Sequence, residues 1–210
     1  ASTDATVALD RVRVATVSDG SAGHQTMDRA ALAARRRDEA RRSAAVIGCE
    51  VEVWPNPDGE LEPTLPLRRD VIRAIRAFEP DLVLTHRIHD YHPDHRNSGL
   101  VVQDAAYMVI VPNVAPDTPP LSKNPVFLYF EDRFQKPQPF SPDIAVSIED
   151  VVEKKVAMLD AHVSQVYEWL PWVDGILDSV PKDADARLAW LRQQRSGRPI
   201  SDELRAALRK

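Results

Sequence analysis

Apolar residues recur along the chain with two periods, one suited to strands and one to helices. Val12 to Val17 (VRVATV) alternates and is rich in valine, which predicts a strand. Met27 to Ile47 carries Leu32, Ala40, Ala44 and Ile47 at helical spacing, and Gly48 is its predicted stop. Val51–Trp54 reads as a short strand, and Leu67–Phe78 as an amphipathic helix through Val71, Ile72, Ile75 and Phe78. Asp81–Thr85 (DLVLT) reads as a buried-type strand, followed by a helix from Pro93 to about Val109. Val126–Phe130 and Ile144–Ile148 are the next strand candidates, and Val151–Trp169 a helix. Two weaker helical segments, Ala184–Gln194 and Ser201–Leu208, form a C-terminal tail. Strands alternating with helices predict an α/β fold, with a mostly parallel sheet and helices on both faces.

The proline-rich stretch Pro112 to Pro125 cannot be regular structure throughout. The 210 residues suffice for one sizeable domain, here expected over 1–170, with a helical extension over 171–210. A net charge of -5 argues against a nucleic-acid binder, which usually shows a basic face. The single cysteine, Cys49, rules out an intrachain disulfide and suits a reducing, cytoplasmic compartment. No apolar run approaches the roughly 20 residues of a membrane span. The chain opens Ala1-Ser2-Thr3-Asp4, without Met or a signal-peptide pattern, so its natural beginning is expected upstream.

Chemistry concentrates after the Asp81–Thr85 strand. Four of the six histidines, His86, His89, His92 and His95, lie in one loop and the helix start that follows it. Pro93 suits the first helical turn, where a missing N–H costs nothing. Carboxyl ends of strands are where open α/β sheets bind ligands, and neutral imidazole is a common zinc ligand. Asp90 and Asp94 either orient imidazoles or cap the helix. Elsewhere, Asp19-Gly20 and Asp58-Gly59 read first as turns, and Arg35-Arg36-Arg37 with Asp38 and Glu39 as a solvated helix face. His162, Ser164 and Gln165, beside Tyr167 and Trp169, line a polar pocket or pack a helix end.

Six segments together resemble the LmbE-like, PIG-L-type zinc deacetylases, the family of N-acetylglucosaminyl-phosphatidylinositol de-N-acetylase. They are SDGSAGH (18–24), ARRRDEA (34–40), NPDGEL (56–61), PDLVLTHRIHDYHPDHR (80–96), QDAAYM (103–108) and EKKVAMLDAHVSQ (153–165). The resemblance implies a Rossmann-like fold and a Zn²⁺ hydrolase that removes an acetyl group from an N-acetylated amino sugar or related amide. It implies that His95 is a zinc ligand, that His92 donates a proton or stabilises the oxyanion, and that Tyr91 polarises the carbonyl. Asp94 belongs to the same metal–catalytic segment, and Arg36 and Asp58 match positions that hold the sugar. The expected partner is a small-molecule substrate; homo-oligomeric assembly is left open.

The chain has no Ala-His-Pro-Asp-Asp, the family motif that supplies two further zinc ligands and the general base. By spacing, residue 1 falls just after the place where that motif would end. The expectation is a product of a longer gene, or an inactive relative that keeps the sugar pocket. A third reading draws a different metal hydrolase's ligands from His86, His89, His92 and His95.

Overall fold

In the computed structural model, which describes residues 11–195, local signals set most element boundaries. Strand β1 (Arg13–Thr16) pairs in parallel with β2 (Glu50–Val53), in the register Arg13 opposite Glu50 through Thr16 opposite Val53. Helix α1 (Arg29–Ile47) connects them. The Asp28 side chain caps α1 by accepting from the Ala31 N–H. Gly48 ends it at φ 68°, a left-handed conformation that glycine adopts without a Cβ clash.

The same β–α–β order recurs once. Strand β3 (Leu82–Thr85) pairs in parallel with β4 (Val126–Tyr129), and helix α3 (Pro93–Met108) lies between them in sequence. Parallel pairing demands such a crossover, so the α/β class holds at both places. Among the described residues the strands form two separate parallel pairs. The expected buried character of β3 is only partly met: Thr85 is buried, but Leu82 and Leu84 remain 38% and 47% exposed. A two-stranded pair shields few residues on both faces.

The chain divides into two compact units. One comprises Gly59–Ser141. Its core joins α2 (Leu65–Phe78) to α3 through Leu67, Val71, Ile72, Val101, Val102 and Ala105, all buried. Thr64 caps α2 by accepting from the Leu67 N–H. The proline-rich stretch is held by Arg76, itself buried. Its guanidinium donates to the carbonyls of Met108, Val109, Val111, Val114, Ala115 and Thr118 at 2.7–3.0 Å.

Among the described residues, the other unit comprises those up to Asp58 together with those from Pro142 onward. Its apolar cluster of Val156, Val166, Tyr167 and Leu191 draws on α4 (Val152–Asp160), a π-helical turn (Ser164–Trp169) and α6 (Ala184–Arg195). A short α5 (Leu170–Val173) follows the π-helical turn.

Two expectations change here. The helix expected over Val151–Trp169 breaks between Asp160 and Ser164, and its second half is wound as a π-helix. Ile144–Ile148 forms no strand; Ile144 and Val146 are 61% and 74% exposed and pair with no neighbour among the described residues. Alternation alone does not make a strand where no edge is offered. The Ser201–Leu208 segment lies outside the described residues.

Candidate metal centre

Within the Gly59–Ser141 unit, the end of β3 leads directly into the histidine-bearing loop. His86 follows Thr85, and its backbone lies against α3 at Gly99. A Cβ on Gly99 would fall 2.5 Å from the His86 carbonyl oxygen, so only glycine permits this approach. Arg87 fixes the next residue by a two-pronged bond to Asp132, at 2.5 and 2.6 Å. That guanidinium holds the Asp132 carboxyl below its ordinary range.

His86, Asp90 and His95 converge, with their donor atoms within 4.8 Å of one another. Two imidazoles and a carboxylate are the right donor types for zinc. Asp90 is buried, and its Oδ1 accepts from the His92 N–H at 2.9 Å and meets His95 Nδ1 at 2.9 Å. The His86 and His95 rings stack with centroids 4.2 Å apart and planes 2° from parallel. Burial, followed by the neighbouring His95, pushes the His86 pKa down. No such donor group includes His89 among the described residues.

His92 is the residue that caps α3. Its Nδ1 accepts from the Asp94 N–H at 3.2 Å, which leaves the proton of the neutral ring on Nε2. Asp94 therefore does not cap the helix with its carboxylate. Its buried Oδ2 and Oδ1 accept from the N–H groups of Gly59 and Leu61, at 2.7 and 3.3 Å, tying the helix start to that loop. Tyr91 is 71% exposed, and its ring meets His95 edge-on at 5.4 Å.

Arg36 and Asp58 belong to the other unit. Arg36 lies in the second turn of α1, and its Nη1 donates to Glu39 at 2.9 Å and to His162 Nδ1 at 3.1 Å. Asp58 accepts from the Ser18 hydroxyl and the Ala22 N–H, which fixes the loop after β1. Asp19 accepts from the N–H groups of Ser21 and Asp58, as its turn reading expects. The charged face expected around Arg35–Glu39 is partly internal. Glu39 is fully buried and accepts from the Ser164 N–H and hydroxyl at 2.8 and 2.7 Å. Arg35 makes a two-pronged bond to Glu168, which His24 Nε2 also meets at 2.8 Å. Burial raises the Glu168 pKa, but the bonds from Arg35 and His24 outweigh it and the net shift is downward.

Residues 3–106 match the family model for GlcNAc-PI de-N-acetylase, PIG-L. That stretch includes β3, the histidine loop and most of α3. Over these residues, just under half of the chain, it resembles the PIG-L family. A 4-oxalmesaconate hydratase from Pseudomonas putida is 27% identical over 141 residues, which is 64% of this chain. The chain spans about half, 52%, of that relative's length. Two solved structures share the fold. An N,N'-diacetylchitobiose deacetylase from Pyrococcus horikoshii superposes with a TM-score of 0.67 at 23% identity, covering 81% of this chain and 66% of that one. The 4-carboxy-2-hydroxymuconate hydratase GalB from Pseudomonas putida gives 0.67 at 21% identity, covering 90% and 80%. The proteins this chain is similar to are thus named for two chemistries, deacetylation and hydration.

The sequence pattern points to the loop that holds the convergent donors, but it does not single out His86 or give Glu39 an internal role. His86 stood among four histidines with nothing to distinguish it; the one signal was its place directly after the strand. Glu39 sits in a run of charge, and its spacing does not reveal that Ser164 lies opposite.

Proposed function

We propose that this chain carries part of a zinc-dependent hydrolase site that removes an acetyl group from an N-acetylated amino sugar or a related amide. The observation that carries the reading is the first turn of α3 within the PIG-L segment: His95 with its Nδ1 at Asp90, beside His92 with its proton on Nε2. Zinc, when bound, supplies a Lewis acid and a water whose pKa falls to about 7. His95 would hold the metal. His92 would donate from Nε2 to the developing oxyanion or the departing amine, a role that needs the tautomer its Nδ1 bond selects. Tyr91 would offer its exposed hydroxyl to the carbonyl oxygen, and Asp94 would keep the segment fixed against the loop at Gly59.

Arg36 and Asp58 are proposed as substrate contacts. Arg36 spends Nη1 on Glu39 and His162, which leaves its other N–H groups for sugar hydroxyls. Each Asp58 carboxylate oxygen accepts one bond and retains capacity for another. The ligand is a small molecule, and the setting is the cytoplasm, in keeping with the lone Cys49. No helix among the described residues is long and apolar enough to cross a membrane.

A second reading, water addition to an unsaturated polycarboxylate, is favoured by the 27% identity to the hydratase. Both reactions need an acidified water and a positioned proton donor. Incubating the zinc-supplemented protein with N,N'-diacetylchitobiose and, separately, with 4-oxalmesaconate separates them. Zinc-dependent acetate release supports the first reading. Hydration without acetate release replaces it with the second.

A further inference from the structure

We infer that Asp90 and His86 are positioning residues for His95: Asp90 fixes the ring as its Nδ1–H tautomer, His86 fixes the ring plane, and Nε2 is the nitrogen left for a metal. The inference deepens the reading above, in which His95 holds zinc.

The tautomer follows from the partner. An ionised carboxylate only accepts, so the proton shared between Asp90 Oδ1 and His95 Nδ1, 2.9 Å apart, sits on the imidazole. Asp90 cannot readily swing aside. Its side chain is 6% exposed, the same Oδ1 takes the His92 N–H, and Arg96 Nη1 grips the backbone carbonyls of Asp90 and Tyr91 at 2.8 and 3.1 Å. A ring that donates from Nδ1 to a carboxylate presents an unprotonated, more basic Nε2.

The plane follows from packing. His86 lies flat against His95, while His92 and Tyr91 close two further sides, at 4.9 and 5.4 Å between centroids. Rotation of His95 about its terminal torsion would drive its edge into the His86 face. His86 is held at stacking distance because its backbone packs on Gly99, where any side chain would push it away.

The competing arrangement is an ion shared by His86, Asp90 and His95, whose donor atoms are close enough to suggest one. The ring geometry opposes it. An imidazole nitrogen directs its lone pair in the ring plane, and planes 2° from parallel with centroids 4.2 Å apart cannot both aim at one point. Asp90 Oδ1 is also already engaged by two N–H groups.

Imidazole ¹⁵N correlation spectra of the metal-free protein, at about pH 8 where histidine is neutral, test the tautomer directly and need no variant. His95 is expected as the Nδ1–H form; an Nε2–H form overturns the inference. Zinc is then added. A shift at His95 Nε2 with the Nδ1 proton retained supports the inference, whereas loss of that proton together with a matching shift at His86 establishes the shared ion and overturns it. If the tautomer is as expected and zinc moves no His95 signal, the positioning role stands and the metal-ligand reading fails. Asp90→Asn should lower zinc affinity by about 10- to 100-fold with an otherwise native spectrum. His86→Phe, which keeps a stacking face, should retain zinc affinity, while His86→Ala lowers it several-fold. Loss in His86→Phe as complete as in His95→Ala makes His86 a ligand and overturns the inference.

Discussion

Replacing Arg76 should unfasten the proline-rich stretch and cost a large share of the stability of the unit that contains it. Arg76 is 2% exposed and donates to six backbone carbonyls between Met108 and Thr118, with no carboxylate in direct contact among the described residues. Burial accordingly pushes its pKa down, partly offset by the charge of Asp117. Hydrogen bonds to a charged group contribute about 1.5–3 kcal/mol each, so five N–H donors sum to roughly 8–15 kcal/mol if simply added. That sum is too large, because removing the arginine also removes its desolvation cost and admits water to some carbonyls. A net loss of about 3–5 kcal/mol is the realistic expectation for Arg76→Met. Arg76→Lys keeps the charge but has three donors and no planar fork, so it should fall between the two. Urea unfolding followed by far-ultraviolet circular dichroism measures both variants, and hydrogen exchange at Val111, Val114 and Thr118 reports the local effect. A loss below about 1 kcal/mol for Arg76→Met, the size of one ordinary hydrogen bond, or unchanged exchange in the stretch, would refute the clasp.

Two further predictions concern the other unit. Glu39→Ala should destabilise by about 3–5 kcal/mol, because Ser164, Arg36 and Arg35 all lose a fully buried acceptor; Glu39→Gln should cost visibly less, and equal denaturation midpoints for wild type and Glu39→Ala would exclude the role. His162 has its pKa lowered by burial first and then by Arg36. Below about pH 6.5 the unfolded chain therefore binds a proton that the native ring resists, and stability should fall as pH drops from there through the lowered native value. His162→Gln should flatten that slope between pH 7 and 5, as read by thermal melts; a slope unchanged by the substitution would contradict it.

The elements most legible in the sequence were those set by local chemistry. Asp28 and Gly48 bound α1, Thr64 starts α2, and Pro93 starts α3, each through a backbone preference that nearby residues reveal. The histidine loop was legible as a donor-rich strand end, and Asp90 as a group able to orient an imidazole. Features that depend on distant partners were not. Glu39 reads as a solvated charge until Ser164 is seen opposite it, and Arg76 reads as one basic residue on an amphipathic helix. Ile144–Ile148 alternates like a strand, but alternation carries no information about an available edge. The π-helical turn at Ser164–Trp169 interrupts a pattern that continues smoothly in the sequence, and its first residue bonds to Glu39, a partner 125 positions away in the chain.

The central claim, that the first turn of α3 faces the metal, is tested most directly by zinc affinity measured with a competing chelator. Wild type, His95→Ala and His89→Ala should be compared under identical conditions. The account predicts that His95→Ala abolishes zinc binding and that His89→Ala leaves it nearly unchanged, since His89 lies outside the convergent donors. Equal losses in the two variants, or zinc binding that survives without His95, would contradict it.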